Sequence, residues 1–340
     1  MGEMVKVALD AHGGDNAPDV VIQGAIDALN ESDNLKIYLV GVKDMIMPKL
    51  ESMTYDKERL EIVEASEIIS MAEPPVAAIR KKKKSSIVLG MQMVRDKEAD
   101  AFVSCGSTGA VLVGGQVIVG RIKGVDRPPL APLIPTSKGF SLLIDCGANV
   151  DSKPSNLVQF AKMGSVYMEK MLGIENPTVG IVNIGSEEEK GNNLVKDTFP
   201  LLKNCSEINF IGSVEARDIP SGFCDVVVCD AFVGNVILKL YEGLGSTLLS
   251  VMKESMMSST RGKIGGALVK PALKERLKSF TVSEYGGAPL LGLKGLVVKG
   301  HGNSTAVEIK NALLQCVKFK ESDILNILSN SFTLTEVQEE

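Results

Sequence analysis

VKVALDAHGGDNAPDVVIQGAIDALNES (5–32) sets an apolar run, a double-glycine turn and a helical stretch end to end. VKVALD (5–10) is nearly apolar throughout instead of alternating, the mark of a strand buried on both faces. DVVIQGAIDALNES (19–32) reads as the helix that covers it. Seven further runs repeat the first: IYLVG (37–41), AFVSC (101–105), FSLLIDC (140–146), TVGIVNIG (178–185), INFIGS (208–213), DVVVCD (225–230) and LVVKG (296–300). Helical stretches at 85–100 and 155–172 lie between them. Strand alternating with helix predicts a three-layer α/β/α fold with a mostly parallel sheet. No repeat, low-complexity tract or linker divides the chain, so 1–340 reads as one α/β unit.

Composition excludes several functions. With 340 residues and 44% hydrophobic content, the chain can bury a large core. A net charge of −5, no Trp and 4% aromatics argue against a nucleic-acid partner. The six cysteines form no CxxC pair, which disfavours a zinc or disulfide framework and suits a reducing cytoplasm. MGEMVKVALD carries no signal-peptide apolar region. GAVLVGGQVIVG (109–120) falls short of the roughly 20 residues a membrane span needs and suits a buried helix.

Ligands of open α/β sheets gather at the carboxyl ends of the strands. The segments leaving these strands are AHGGDNAPD, GSTGA, GANVDSKP, SEEEKGNN, VEARD, AFVGN and HGNSTA, and many lead straight into a helix. Unpaired N–H groups there favour an anion, while Gly and Asn also simply make turns and caps. Asp10, His12 and Asp15 raise the alternatives of a metal site or an acid–base relay. His12 and His301 are the two histidines of the chain, in separate loops, which disfavours a His-rich metal site and leaves a carboxylate-only Mg²⁺ site as the metal alternative. SCGSTGA is no nucleophile elbow, and neither GxxxxGK[ST] nor an initial GxGxxG occurs, so no metal or cofactor is expected. Ser107 and Thr108 suit an N-cap and phosphate donors.

Three segments stand apart. IRKKKKSS (79–86) is either a solvated basic face or a docking patch for an acidic carrier or phosphorylated group. Arg127, beside prolines, either faces an anion or pairs with a carboxylate. Residues 244–280 hold seven Lys/Arg against two Glu with apolar residues between, predicting a helical hairpin suited to an anionic membrane, an oligomer contact or its own core.

Taken in order, VALDAHGGDNAP (7–18), IRKKKKSS (79–86), VSCGSTGA (103–110), RPPLAPLIPT (127–136), DCGANVDSKPSNLVQFAKMGSVY (145–167), NIGSEEEKGN (183–192), FIGSVEARDIP (210–220), DVVVCDAFVGNVILKLYEG (225–243) and YGGAPLLGLKGLVVKGHGNS (285–304) resemble the bacterial PlsX family of phosphate acyltransferases. The resemblance implies transfer of a long fatty acyl group from acyl carrier protein to inorganic phosphate. The acyl phosphate then serves a membrane acyltransferase in phospholipid synthesis. It also implies an isocitrate/isopropylmalate dehydrogenase-like (phosphotransacetylase-like) fold, a homodimer and peripheral membrane contact. Four positions depart from the family pattern: His12 for Met, Ser107 for Asn, Cys146 for Leu and Ala231 for Gly.

Since a thioester is already activated, the tasks are to bind phosphate, orient it and stabilise an oxyanion. Phosphate and substrate are expected at Gly13, Gly14, Asp15, Asn16, Ser107, Thr108, Arg127, Asn149, Lys153, Lys190, Gly302 and Ser304. Lys299 and His301 would offset charge or protonate the thiolate, with Arg217 a further cation. Asp10, Asp145, Asp230 and Asn235 would order donors or relay protons, or act as caps and turn braces. The rivals are a short-chain phosphotransacetylase, a decarboxylating dehydrogenase on the same fold, and a non-catalytic carrier- or lipid-binding protein.

Overall fold

The computed structural model describes residues 4–278 and 286–336. In chain order the first elements are β1 (Val5–Asp10), α1 (Asp19–Glu31), β2 (Leu35–Gly41), α2 (Lys43–Leu50), β3 (Leu60–Glu64), α3 (Pro75–Lys81), α4 (Ser86–Arg95), β4 (Ala101–Ser104) and α5 (Thr108–Gly114), which runs into a π-helical turn over Gly115–Val119. Next come β5 (Leu133–Thr136), β6 (Gly139–Ile144), α6 (Pro154–Leu172), β7 (Thr178–Asn183), α7 (Asn193–Lys203), β8 (Asn209–Glu215), β9 (Val226–Val228), α8 (Ala231–Met257) and α9 (Thr260–Lys278). The chain closes with β10 (Ala288–Leu290), β11 (Leu296–Lys299), α10 (Ala306–Glu321) and α11 (Ile324–Glu336).

These elements group into two compact units, where the sequence reads as one. Met1–Pro132, Lys162–Glu175 and Ser283–Glu340 form the first; Leu133–Ala161 and Asn176–Val282 form the second. Each unit is assembled from separate stretches of chain, so no single linker marks the division.

The first unit holds a six-stranded sheet in the order β10-β11-β4-β1-β2-β3, parallel except for β10. Val7, Leu9, Ile37, Leu39, Phe102, Val103, Val297 and Val298 are buried on it. This is why their strands carry near-continuous apolar runs. α1 packs on α10, where a Cβ on Gly24 would come within 2.7 Å of Ala306 O. α4 lies against β1, β2 and β4, and its Gly90 makes room for Phe102, whose ring would meet a Cβ there at 2.5 Å. Ser85 caps α4, its Oγ accepting from Val88 N at 3.4 Å. From β1 the chain winds outward through β2 to β3, then returns to place β4 on the opposite side of β1. That reversal makes the carboxyl ends of β1 and β4 the topological switch point of the sheet, the place where open α/β sheets bind their ligands.

The second unit holds a five-stranded sheet, β5-β6-β9-β7-β8, parallel except for β5. Ile134, Leu143, Cys146, Val214, Ile219, Cys224, Val227 and Cys229 form a core, with Ile237, Leu238 and Tyr241 of α8 packed on it. Tyr241 donates to Pro135 O at 2.7 Å. Beyond Tyr241 α8 leaves that core and pairs with α9. The hairpin therefore begins at Ala231, upstream of the compositional boundary at 244, and residues 279–280 and Tyr285 lie outside the described residues.

Candidate active site

The register of the first sheet pairs Leu9 with Val103 and Lys299 with Ser104. The exits of β1, β4 and β11 therefore emerge side by side. Asp10, 2% exposed, ends β1 and accepts from Ser104 Oγ at 2.7 Å and from His12 N at 3.1 Å. Ser104 Oγ in turn accepts from Gly106 N at 3.0 Å. A buried carboxylate, a buried hydroxyl and a loop amide thus form one chain, in which each polar group has its partner.

The glycine turn binds these exits together. A Cβ on Gly13 would lie 2.7 Å from Gly106 N and 2.9 Å from Cys105 N, so only a bare Cα fits against the β4 exit. Gly14 has φ +106° and would bring a Cβ within 2.9 Å of Gly302 O; only glycine takes this conformation readily. Asp15 N donates to Gly302 O at 2.7 Å, and Gly300 N to Ser104 O at 3.0 Å. The backbone of GGDN packs against the β4 and β11 exit loops. Asp15 and Asn16 are exposed on its rim.

Lys299 is 8% exposed, and its ammonium donates to Gly300 O. Ser107 caps α5, accepting from Ala110 N at 3.4 Å. Its neighbour Thr108 is exposed, and the first two amides of α5, those of Thr108 and Gly109, have no intrahelical acceptor. Ser304 is buried, with its N donating to His301 O at 3.2 Å, whereas His301 is exposed. The result is a buried floor of Asp10, Ser104, Lys299 and Ser304 under a rim of Thr108, His301 and the glycine turn.

Cys105 sits in this floor. Burial is the main cause raising its thiol pKa; the Ser304 hydrogen bond and the Lys299 charge oppose it. The thiol stays protonated at neutral pH, unsuited to attack a thioester. His12 faces away from this chemistry: its Nε2 accepts from Val42 N at 2.8 Å, tying the β1 exit to the start of α2. Desolvation lowers the His12 pKa and outweighs the nearby Asp10 charge.

The other expected residues divide. In the second unit Asp145, fully buried, accepts from Ala148 N at 3.2 Å and from Asn149 N and Nδ2 at 2.8 Å each. Asn149 O accepts from Ala231 N at 3.0 Å. Asp230 caps α8 through Phe232 N at 2.9 Å and Val233 N at 3.0 Å. These carboxylates brace the β6 and β9 exits, the cap-and-turn alternative, and Asn235 is exposed one turn into α8. Lys190 pairs with Glu187 at 2.7 Å, which raises its pKa, and Arg217 pairs with Glu215 at 3.0 Å. Lys153 is exposed just before α6, and Arg127 is exposed near the end of the first stretch of unit 1. Among the described residues, no three His, Cys, Asp or Glu converge as metal ligands.

Ser104, Cys105 and Gly106 are absent from the expected set. Their signal is a serine ending an otherwise apolar strand, one step beyond the Leu9–Val103 pair and so beside Asp10.

The architecture is that of the phosphotransacetylase class of α/β enzymes. A phosphotransacetylase from Streptococcus pyogenes superposes with TM-score 0.63 at 17% identity, covering 94% of this chain and 95% of its own. A 4-hydroxythreonine-4-phosphate dehydrogenase from Klebsiella pneumoniae gives TM-score 0.51 at 11% identity, over 94% and 98%. A family model described as "Fatty acid synthesis protein" matches residues 5–326. A phosphate acyltransferase of Clostridium novyi (strain NT) is 50% identical over 322 residues, 95% of this chain and 97% of its own length. The chain belongs to this family, the PlsX-type phosphate acyltransferases, and is an acyltransferase that uses phosphate.

Proposed function

We propose that this enzyme transfers a long-chain fatty acyl group from acyl carrier protein to inorganic phosphate, at the crevice where the β1, β4 and β11 exits meet. The observation carrying this reading is the convergence of three strand exits over the buried Asp10–Ser104 pair and Lys299. Phosphate sits against the first-turn amides of α5, Thr108 and the His301–Ser304 loop, with Lys299 offsetting its charge. A phosphate oxygen attacks the thioester carbonyl and the C–S bond breaks. The proton carried by hydrogen phosphate ends on the carrier sulfur, with exposed His301 in place to relay it. Asp10 acts by position: it fixes Ser104, and through it Gly106 N. The raised Cys105 pKa supports direct transfer without an acyl-cysteine.

The product is acyl phosphate for phosphatidic acid synthesis, consumed by a membrane acyltransferase. The enzyme acts as a cytoplasmic homodimer in peripheral contact with the membrane. Leu244, Leu248, Val251, Ile264 and Leu268 are exposed on the α8–α9 hairpin and supply an apolar surface for such contacts. Among the described residues no helix is long and apolar enough to cross a membrane.

Purified enzyme with palmitoyl carrier thioester should release carrier thiol only when phosphate is present. Release without phosphate dependence would reject the reaction. Faster turnover of acetyl-CoA than of the palmitoyl carrier would assign a short-chain phosphotransacetylase instead.

A further inference from the structure

Residues 66–86 carry five cations against two carboxylates, and the transfer chemistry uses none of them. Both carboxylates are engaged inside the segment. Glu67 accepts from Lys84 N at 2.8 Å. Glu73 accepts from Ser70 N at 2.7 Å and from Lys82 Nζ at 2.8 Å, and Lys82 also donates to Ile68 O at 2.6 Å. Lys82 therefore stitches the loop before α3 to the end of that helix. The other cations, Arg80, Lys81, Lys83 and Lys84, are exposed, and none is ion-paired among the described residues. Apolar side chains stand exposed in the same segment: Ile68, Met71 at 50% and Val76 at 67%.

This patch adjoins the transfer site. A side chain on Gly109, in the first turn of α5, would overlap Pro75 Cγ at the start of α3. Met71 Cε lies 3.0 Å from where a Cβ on Gly302 would sit. The apolar end of the patch thus touches two of the loops assigned to phosphate.

We propose that Arg80, Lys81, Lys83 and Lys84, with Met71 and Val76, form the docking surface for the acidic acyl carrier protein, an inference that rests on the transfer reaction above. Charge complementarity selects the occupant: unpaired cations steer an acidic partner, and the exposed apolar pair gives it a desolvated anchor. A bilayer calls for a wider apolar face, which the α8–α9 hairpin offers and this short segment does not. Docking here delivers the thioester beside Thr108 and Gly302.

The test is the triple variant Lys81→Glu/Lys83→Glu/Lys84→Glu, assayed with palmitoyl carrier protein and separately with palmitoyl-pantetheine, which has no protein to dock. The kcat/KM for the carrier should fall roughly tenfold or more, and its salt dependence should flatten. The kcat/KM for palmitoyl-pantetheine should stay within about twofold, since rim charges act on encounter. Unchanged carrier kinetics would overturn the proposal, and so would equal losses with both donors. Loss of binding to phosphatidylglycerol vesicles with carrier kinetics intact would make this a membrane face instead. If wild-type enzyme shows no phosphate-dependent transfer, the reaction fails on its own. Anisotropy of a labelled carrier on wild type and variant then decides the surface: weaker binding by the variant supports it, and equal binding overturns it.

Discussion

Ser104→Ala is the sharpest probe of the floor of the site. The Ser104 side chain is fully buried and holds two partners at once, Asp10 Oδ2 at 2.7 Å and Gly106 N at 3.0 Å. Alanine leaves a buried carboxylate oxygen short of a donor and a buried amide without an acceptor. A hydrogen bond to a charged group contributes about 1.5–3 kcal/mol and a neutral one about 1, so unfolding free energy should drop by about 3 kcal/mol. Gly106 also loses its anchor, and kcat/KM for phosphate should fall roughly 10²-fold, the scale of one misplaced oxyanion-type donor. Urea titration reads the first effect and initial rates at varied phosphate the second. The cycle with Asp10→Asn should show the two changes coupled by about 1 kcal/mol or more. Additive changes, or a Ser104→Ala enzyme with unchanged stability and unchanged phosphate KM, would refute the idea that this hydroxyl organises the site.

Other expectations follow from single contacts. Cys105→Ala should keep kcat within about tenfold, whereas loss of a residue acting in the chemistry costs roughly 10²–10⁴ or more; a larger loss would reinstate an acyl-cysteine route. Because the folded protein holds His12 neutral, the unfolded chain takes up its proton first as pH drops below 6.5. Stability should therefore fall from that pH down to the lower folded pKa and then level off. His12→Gln should lose this part of the acid sensitivity; identical urea midpoints against pH for both proteins would contradict it. A Cβ on Gly234 would collide with Asp145 O, so Gly234→Ala should cost about 3 kcal/mol by thermal or urea unfolding, and a neutral effect would count against the tight β6–α8 approach. Lys263→Glu/Lys270→Glu on α9 should weaken flotation with anionic liposomes, and unchanged flotation would leave that hairpin to protein contacts alone.

The strands visible in the sequence are those with neighbours on both sides, plus the apolar edge strand β8. β1, β2, β4, β6, β7, β9 and β11 are buried on both faces and read as apolar runs. The strands that escaped reading, β3, β5 and β10, are all edges. β5 and β10 contain proline and β3 carries two glutamates, as edge strands do where no second neighbour needs pairing. The division into two units was hidden for a related reason, since it depends on which distant segments pack together. At the site, strand-exit loops were legible because glycine and small polar residues recur after each strand. Ser104 was not, because its meaning comes from standing beside Asp10, 94 residues away in sequence. His12, which stands where the family pattern has Met, was outside the expected site, and its ring anchors Val42 N.

The proposed transfer requires phosphate to bind over the buried Lys299 of the first unit. Lys299→Met keeps the length of the side chain and removes its charge. With fold and melting temperature checked, the phosphate KM at saturating acyl donor should rise roughly 10- to 100-fold, the value of a charge-assisted contact, while the donor KM stays unchanged. A folded Lys299→Met enzyme with wild-type phosphate KM would place the phosphate elsewhere and contradict the account.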